Sequence, residues 1–253
     1  MTRRAHQTLV DSQFGTVSAA YVTSAVHAQG PDLEQLVGIV QGHAEARAID
    51  LGSGGGHVSF HVAPHVREVV AYDLSPDMLA AVAKSATERS LGNIRTQQGV
   101  VERLPFPDAS FDFVLSRYSA HHWHDVPAAL REARRVLKPG GRAVLMDAVA
   151  PSSPLVDTWL QSIELMRDPS HVRDYSVAEW RALARQAGFE PGGVTLRRLR
   201  LDFATWVARM RTPEPMTQSI RALLARAPEE VAAHLEIGAD GSFTLDTMVM
   251  LAG

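Results

Sequence analysis

The stretch Ala48-Ile-Asp-Leu-Gly-Ser-Gly-Gly-Gly-His57 leaves the chain few folds to choose from. An apolar run ends in Gly52, Gly54 and Gly56 at alternate positions, and a helical pattern starts directly behind them. Glycines there let the chain turn sharply out of a strand with positive φ. They also present backbone N–H groups and let a ligand lie against the main chain. The following helix N-terminus adds partial positive charge suited to a carboxylate or phosphate. Strand, glycine loop and helix in that order predict an α/β sheet that binds its ligand at the carboxyl end of the first strand. The dinucleotide pattern Gly-x-Gly-x-x-Gly, counted from Gly52, asks for glycine where the chain has His57, which weakens a nicotinamide reading.

Apolar runs alternating with helical patterns continue down the chain, the signature of a parallel sheet covered on both faces. Strands are predicted at Ala46–Leu51, Glu68–Asp73, Asn93–Gln98, Phe111–Arg117, Arg142–Ala148, Gly193–Asp202 and Ser242–Leu251. Helices are predicted at His57–Ala63, Pro76–Ser90, Val126–Leu137, Leu155–Asp168 and Val177–Ala187. Lys138-Pro-Gly-Gly141 is expected to turn the chain into the fifth strand, and Gly188 to cap a helix. The expected architecture is a doubly wound, mostly parallel seven-stranded sheet in one domain over residues 1–253. Residues 1–45, broken at Gly15 and Gly30-Pro31, read as cover helices, and residues 150–188 and 203–237 as helical lid segments. With no cysteine, the chain has no disulfide, thiol nucleophile or Cys-held metal. A net charge of −3 gives no global field for nucleic acid, and no apolar run approaches the ~18 residues of a membrane span. A cytoplasmic monomer or homodimer that binds neither membrane nor nucleic acid is expected.

Asp73 ends the second predicted strand, where a carboxylate can accept both hydroxyls of a ribose. Further along stand Asp73-Leu-Ser-Pro-Asp-Met78, Gly99-Val-Val-Glu-Arg-Leu-Pro-Phe106, Phe111-Asp-Phe-Val-Leu-Ser116 and Leu137-Lys-Pro-Gly-Gly141. With these motifs the chain resembles the class I S-adenosylmethionine-dependent methyltransferases, in the branch of the ubiquinone/menaquinone C-methyltransferases. Within it, Arg117-Tyr-Ser-Ala-His-His-Trp-His-Asp125 and Asp168-Pro-Ser-His-Val-Arg173 resemble a bacterial subgroup of YafE type. The resemblance implies S-adenosylmethionine as cofactor. Gly52, Gly54 and Gly56 would pass under its methionine part, Asp50 would stand near its amino group and Asp73 would hold its ribose. Met78 or Leu74 would pack on the adenine. The family's usual acidic acceptor for the adenine amino group is replaced by Val100, so either the Val101 backbone with the Glu102 side chain or a water takes its place. Ser116 would sit beside the cofactor facing the substrate pocket, and Tyr21 would fold over it.

His121, His122 and His124 surround Trp123 just beyond the fourth predicted strand. Histidine can take a proton from an attacking hydroxyl, amine or enol near neutral pH. His122 is the preferred base and His171 a second, while one or two of the cluster could instead cap a helix or face solvent. Arg117, Tyr118, His121, Trp123 and Arg173 are the expected substrate-side residues, Arg173 alternatively anchoring a lid through a carboxylate. Asp125 is read as a helix cap. His57, His61 and His65 stand at i, i+4, i+8, but Pro64 interrupts that helix and no carboxylate completes a ligand set. They read as a solvated helix face, with no metal expected. Trp159, Trp180 and Trp206 read as packing residues. The resulting expectation is an enzyme that methylates O, N or activated C of a small aromatic or quinone-like metabolite. The alternatives are a non-methylating enzyme or partner protein that binds the same cofactor, and an RNA or protein methyltransferase.

Overall fold

The structure, a computed structural model, describes residues 5–15 and 29–253. Tyr21 lies outside the described residues. The strands are β1 (Arg47–Leu51), β2 (Glu68–Asp73), β3 (Ile94–Gln98), β4 (Phe111–Arg117), β5 (Leu137–Val149), β6 (Pro191–Leu201) and β7 (Phe243–Ala252). They form one seven-stranded sheet in the order β3-β2-β1-β4-β5-β7-β6. The ladders from β3 to β5 are parallel, and β7 runs antiparallel to both β5 and β6. The strands begin and end within a few residues of their predicted limits except for β5. Its pairing starts at Leu137 opposite Phe111, and a register shift lets residues 138–141 bulge before Arg142 pairs with Phe113. Gly188, at φ +87°, ends the preceding helix as a left-handed C-terminal residue.

The helices are α1 (His6–Gly15), α2 (Pro31–Val40), α3 (His57–Val62), α4 (Pro76–Glu88), α5 (Val126–Val136), α6 (Pro154–Arg167), α7 (Val177–Gln186), α8 (Phe203–Arg209), α9 (Glu214–Ala225) and α10 (Glu229–His234). Because strand side chains alternate, neighbouring residues of β1 serve opposite faces of the sheet. Ala48 joins Val69, Phe113 and Leu115 under Leu33, Leu36 and Val40 of α2 and Val58 and Val62 of α3. Ile49 joins Val70, Val114 and Leu145 under Val126, Leu130 and Val136 of α5 and Trp180 of α7. A third apolar cluster packs Leu160, Trp206, Ile220 and Val231 of α6, α8, α9 and α10 on Leu201, Phe243 and Leu245 of β6 and β7. Among the described residues, no helix is long and apolar enough to cross a membrane.

The strand order places the site. From β1 the chain steps outward through β2 and β3, then returns to β4 on the other side of β1. The loops leaving the carboxyl ends of β1 and β4 therefore run in opposite directions, and the crevice between them is where open α/β sheets bind ligands. An ion pair fixes α2 across this crevice: Arg117, the last residue of β4, donates from Nε to Asp32 Oδ2 at 2.5 Å and from Nη2 to Oδ1 at 3.3 Å. Both side chains are buried. Removing one partner of such a pair strands the other charge. Asp32→Ala is expected to cost about 3–5 kcal/mol in urea unfolding, and Asp32→Ala combined with Arg117→Leu to recover most of it.

Candidate active site

A cavity of about 320 Å³ opens at the switch point, lined at one end by Asp50, Gly52, Gly54, Gly55, Asp73, Leu74 and Met78. Gly56, expected with them, falls outside the lining, and a Cβ there would press on Phe60 and Val82 in the core. Gly52, Gly54 and Gly56 all have positive φ, at +66°, +48° and +80°. At Gly52 a Cβ would overlap the Ser119 hydroxyl, so the loop after β1 lies directly on the turn after β4. Asp73 organises the loop: Oδ2 accepts from Gly54 N at 2.8 Å and Oδ1 from Ser75 N at 2.9 Å. Burial raises its pKa despite these bonds, so further donors at its oxygens would be favourable. Ser53 Oγ and Ser75 Oγ, both on cavity residues, are buried without a hydrogen-bond partner.

Asp50 lines the cavity as expected of a cofactor-side residue, and it also holds two elements together. Its Oδ2 accepts from both the backbone N–H and the hydroxyl of Ser59, at 3.1 and 2.7 Å, which staples β1 to α3. Burial carries its pKa up to about 7. Val101 and Glu102 line the cavity, but the Glu102 carboxylate holds the N–H groups of His124 and Asp125 at 3.0 and 3.2 Å. It thereby orders the start of α5, and Asp125 caps that helix through Ala128 N. Ser116 does not line the cavity; its hydroxyl is buried without a partner, while Ser119 takes the expected place and accepts from Trp123 Nε1 at 3.0 Å. His57, expected in solvent, is buried and lines the cavity, and Trp206 does so too besides packing.

The second end of the cavity carries the histidines. His121 Nδ1 lies 2.6 Å from Asp147 Oδ1, and Asp147 is held in turn by the N–H groups of Ala120 and Ala148. Asp174 Oδ1 lies 4.0 Å from the same Nδ1. Burial opposes charge on His121, yet the charge and hydrogen bond of Asp147, backed by Asp174 and Glu164, outweigh it and take the pKa up to about 9. His122 behaves oppositely: burial, then the neighbouring His121 and His171, push its pKa well below the ordinary value. Its Nδ1 faces the Ser170 carbonyl at 3.2 Å and the Ser170 hydroxyl at 3.3 Å. A carbonyl can only accept, so Nδ1 carries the hydrogen and Nε2 the lone pair. Arg117, Tyr118, His121 and Trp123 all line the cavity. Burial raises the Tyr118 pKa to about 12, keeping its hydroxyl protonated.

His171 and Arg173 fall outside the cavity lining. His171 Nε2 bonds Gln161 Oε1 at 2.9 Å, and burial lowers its pKa to about 4. Its imidazole ties the loop after α6 back to that helix, away from the cavity lining. Arg173 bonds Asp157 and Glu179 at 3.1 and 3.3 Å, the lid-anchoring alternative. Sequence reasoning passed over Asp147, Asp174, Ser119 and Ser170. A lone acid inside the apolar run Ala143-Val-Leu-Met-Asp-Ala-Val149 was the available signal for Asp147.

A family model described as "Methyltransferase domain" matches residues 49–145. The chain is 49% identical over 195 residues to the "Uncharacterized protein YafE" of Escherichia coli, covering 77% of this chain and 94% of that protein. The chain belongs to the class I S-adenosylmethionine-dependent methyltransferases. It is 36% identical to the "Uncharacterized methyltransferase YcgJ" of Bacillus subtilis over 87% of each chain. The crystal structure of YcgJ matches with a TM-score of 0.84 and covers 87% of this chain and 97% of that one. A demethylmenaquinone methyltransferase of Chlorobaculum parvum is 34% identical over 46% of this chain and 47% of that enzyme.

The methyltransferase's glycine end fits this cofactor. The cradle is closed to a Cβ at Gly52, the buried Asp73 carboxylate sits at the cavity wall where a further donor would be favourable, and Ser53 and Ser75 bring orphaned hydroxyls to the same wall. Replacing Asp73 with Ala is expected to weaken S-adenosylhomocysteine about 10–150-fold in calorimetric titration, the loss of roughly 1.5–3 kcal/mol of charge-assisted hydrogen bonding. His121 makes a pH prediction. Its folded pKa of about 9 exceeds the ordinary 6.5, so its stabilisation is complete below about pH 6.5 and lost as pH rises through about 9. The difference in unfolding free energy between wild type and His121→Asn should shrink by on the order of 3 kcal/mol over that span.

Proposed function

We propose that the enzyme methylates an O, N or activated C atom of a small aromatic or quinone-like metabolite, with His122 receiving the acceptor's proton. The observation that carries this reading is a pair of adjacent cavity histidines beside the glycine loop, His121 held 2.6 Å from the buried Asp147 carboxylate and His122 facing the Ser170 carbonyl, surroundings that favour opposite protonation states. Environments that push two pKa values apart assign acid and base. Bound S-adenosylmethionine supplies an activated methyl group. Gly52, Gly54 and Gly55 would lie along it, Asp73 would hold its ribose, and Leu74, Met78 and Val101 would flank its adenine.

What the chain itself does is position and deprotonate. Neutral His122, its tautomer set by Ser170, offers Nε2 to the proton of a neutral hydroxyl, amine or enol. The charged His121, its orientation set by Asp147, stabilises negative charge developing on the acceptor. Buried Leu201, Trp206, Met210 and Leu245 give the substrate end an apolar wall, which supports an aromatic or quinone-like body. The likeness to a demethylmenaquinone methyltransferase supports the same substrate class. The reading uses no metal. His121, Asp147 and Asp174 offer ligand atoms within 4.8 Å of one another, but His121 Nδ1 and Asp147 Oδ1 are 2.6 Å apart, the distance of a shared proton and too close for two ligands around one ion.

The test is single-turnover transfer from S-adenosylmethionine to a panel of phenols, quinols and aromatic amines, read as S-adenosylhomocysteine and methylated product. His122→Ala should slow transfer to a neutral acceptor by about 10²–10⁴-fold. Loss of less than tenfold would remove His122 from the role.

A further inference from the structure

Four cavity arginines have described partners, and one of them stands apart. Arg117 pairs with Asp32, Arg167 with Glu164, and Arg198 with Asp246 and Glu236. Arg197 has neutral partners: Nη2 donates to Gln35 Oε1 at 2.7 Å and to the Pro31 carbonyl at 3.4 Å. Its Nη1 is buried with no hydrogen-bond partner. A buried carboxyl or imidazole in that position could shed its charge, but a guanidinium cannot. The residue as a whole is only half-buried and lines the cavity, so an unmatched cationic donor, costly without an anion, stands next to space from which one could be supplied.

The strand geometry says what would bring it. Arg197, Leu199 and Leu201 alternate along β6 and therefore face one way, and all three line the cavity. On the neighbouring strand, Thr247 sits opposite Arg197 and Leu245 opposite Leu199. The wall thus runs from apolar leucines to a cation two residues farther on, roughly 7 Å along the strand.

We infer that the acceptor is an aromatic acid, whose ring lies on Leu199 and Leu245 and whose carboxylate bonds Arg197. The inference rests on the methyl-transfer reading and names the substrate class within it. A carboxylate could also come from the methionine part of the cofactor, and the experiment separates the two sources.

The full-length chain is saturated with S-adenosylhomocysteine and titrated calorimetrically with 4-hydroxybenzoate and with its uncharged isostere 4-hydroxybenzamide. The acid is expected to bind at least tenfold more tightly than the amide. Arg197→Gln should abolish that preference while leaving S-adenosylhomocysteine affinity within threefold, and Arg197→Lys should restore part of it. An acid that binds wild type no better than the amide, including no binding of either, overturns the inference without using any variant. A tenfold or greater loss of S-adenosylhomocysteine affinity in Arg197→Gln, at an unchanged melting temperature, overturns it by giving the arginine to the cofactor. Failure of wild type to bind S-adenosylhomocysteine at all would instead sink the methyl-transfer reading.

Discussion

The contact between the backbone at Gly52 and the hydroxyl of Ser119 is the constraint on which the rest of the site depends. It joins the loop leaving β1 to the turn leaving β4, the two strands between which the sheet reverses its direction of growth. Because no side chain fits at Gly52, the two loops touch. Trp123 then hangs from Ser119, Glu102 draws the start of α5 into place, and the histidines between them face the cavity. One cavity is lined by both loops.

The polar end shows how a buried cluster is divided into distinct charges. Asp147 is held by two backbone N–H groups and faces His121 at 2.6 Å, and its proximity is what favours the charged form of His121. The charge on His121 in turn helps keep His122 neutral. Methyl transfer from a sulfonium needs little acid–base power but does need alignment and exclusion of water. A neutral base with a set tautomer beside a fixed cation meets that need.

The sequence made the sheet legible because its punctuation is local. Glycines follow β1, a proline opens α4, and Gly188 ends α7, each with a stereochemical reason to be where it is. The bulge in β5 was not legible, because pairing before Lys138 depends on Phe111 across the sheet. At the site, the cofactor end could be read from glycine spacing and strand ends. The substrate end could not, since the direction of a side chain in a polar loop is set by distant partners. His171 looked like a base and turned toward Gln161, and Glu102 looked like an adenine acceptor and turned toward α5. Arg197 lies in a predicted strand with nothing local to mark it, and what covers its Nη2 is Pro31 and Gln35 of α2, far away in sequence.

The position of β7 carries a consequence for how the molecule is made. Residues 243–252 occupy the interior of the sheet between β5 and β6, and among the described residues β6 pairs with no other strand. During synthesis, β6 must wait for some fifty residues of chain to emerge before it finds its neighbour. Until then the cavity wall formed by Leu199 and Leu245 does not exist, although the glycine loop and Asp73 have long since emerged. The two ends of the cavity are thus supplied at different times: the glycine end comes from the first third of the chain, and the far wall waits for β7.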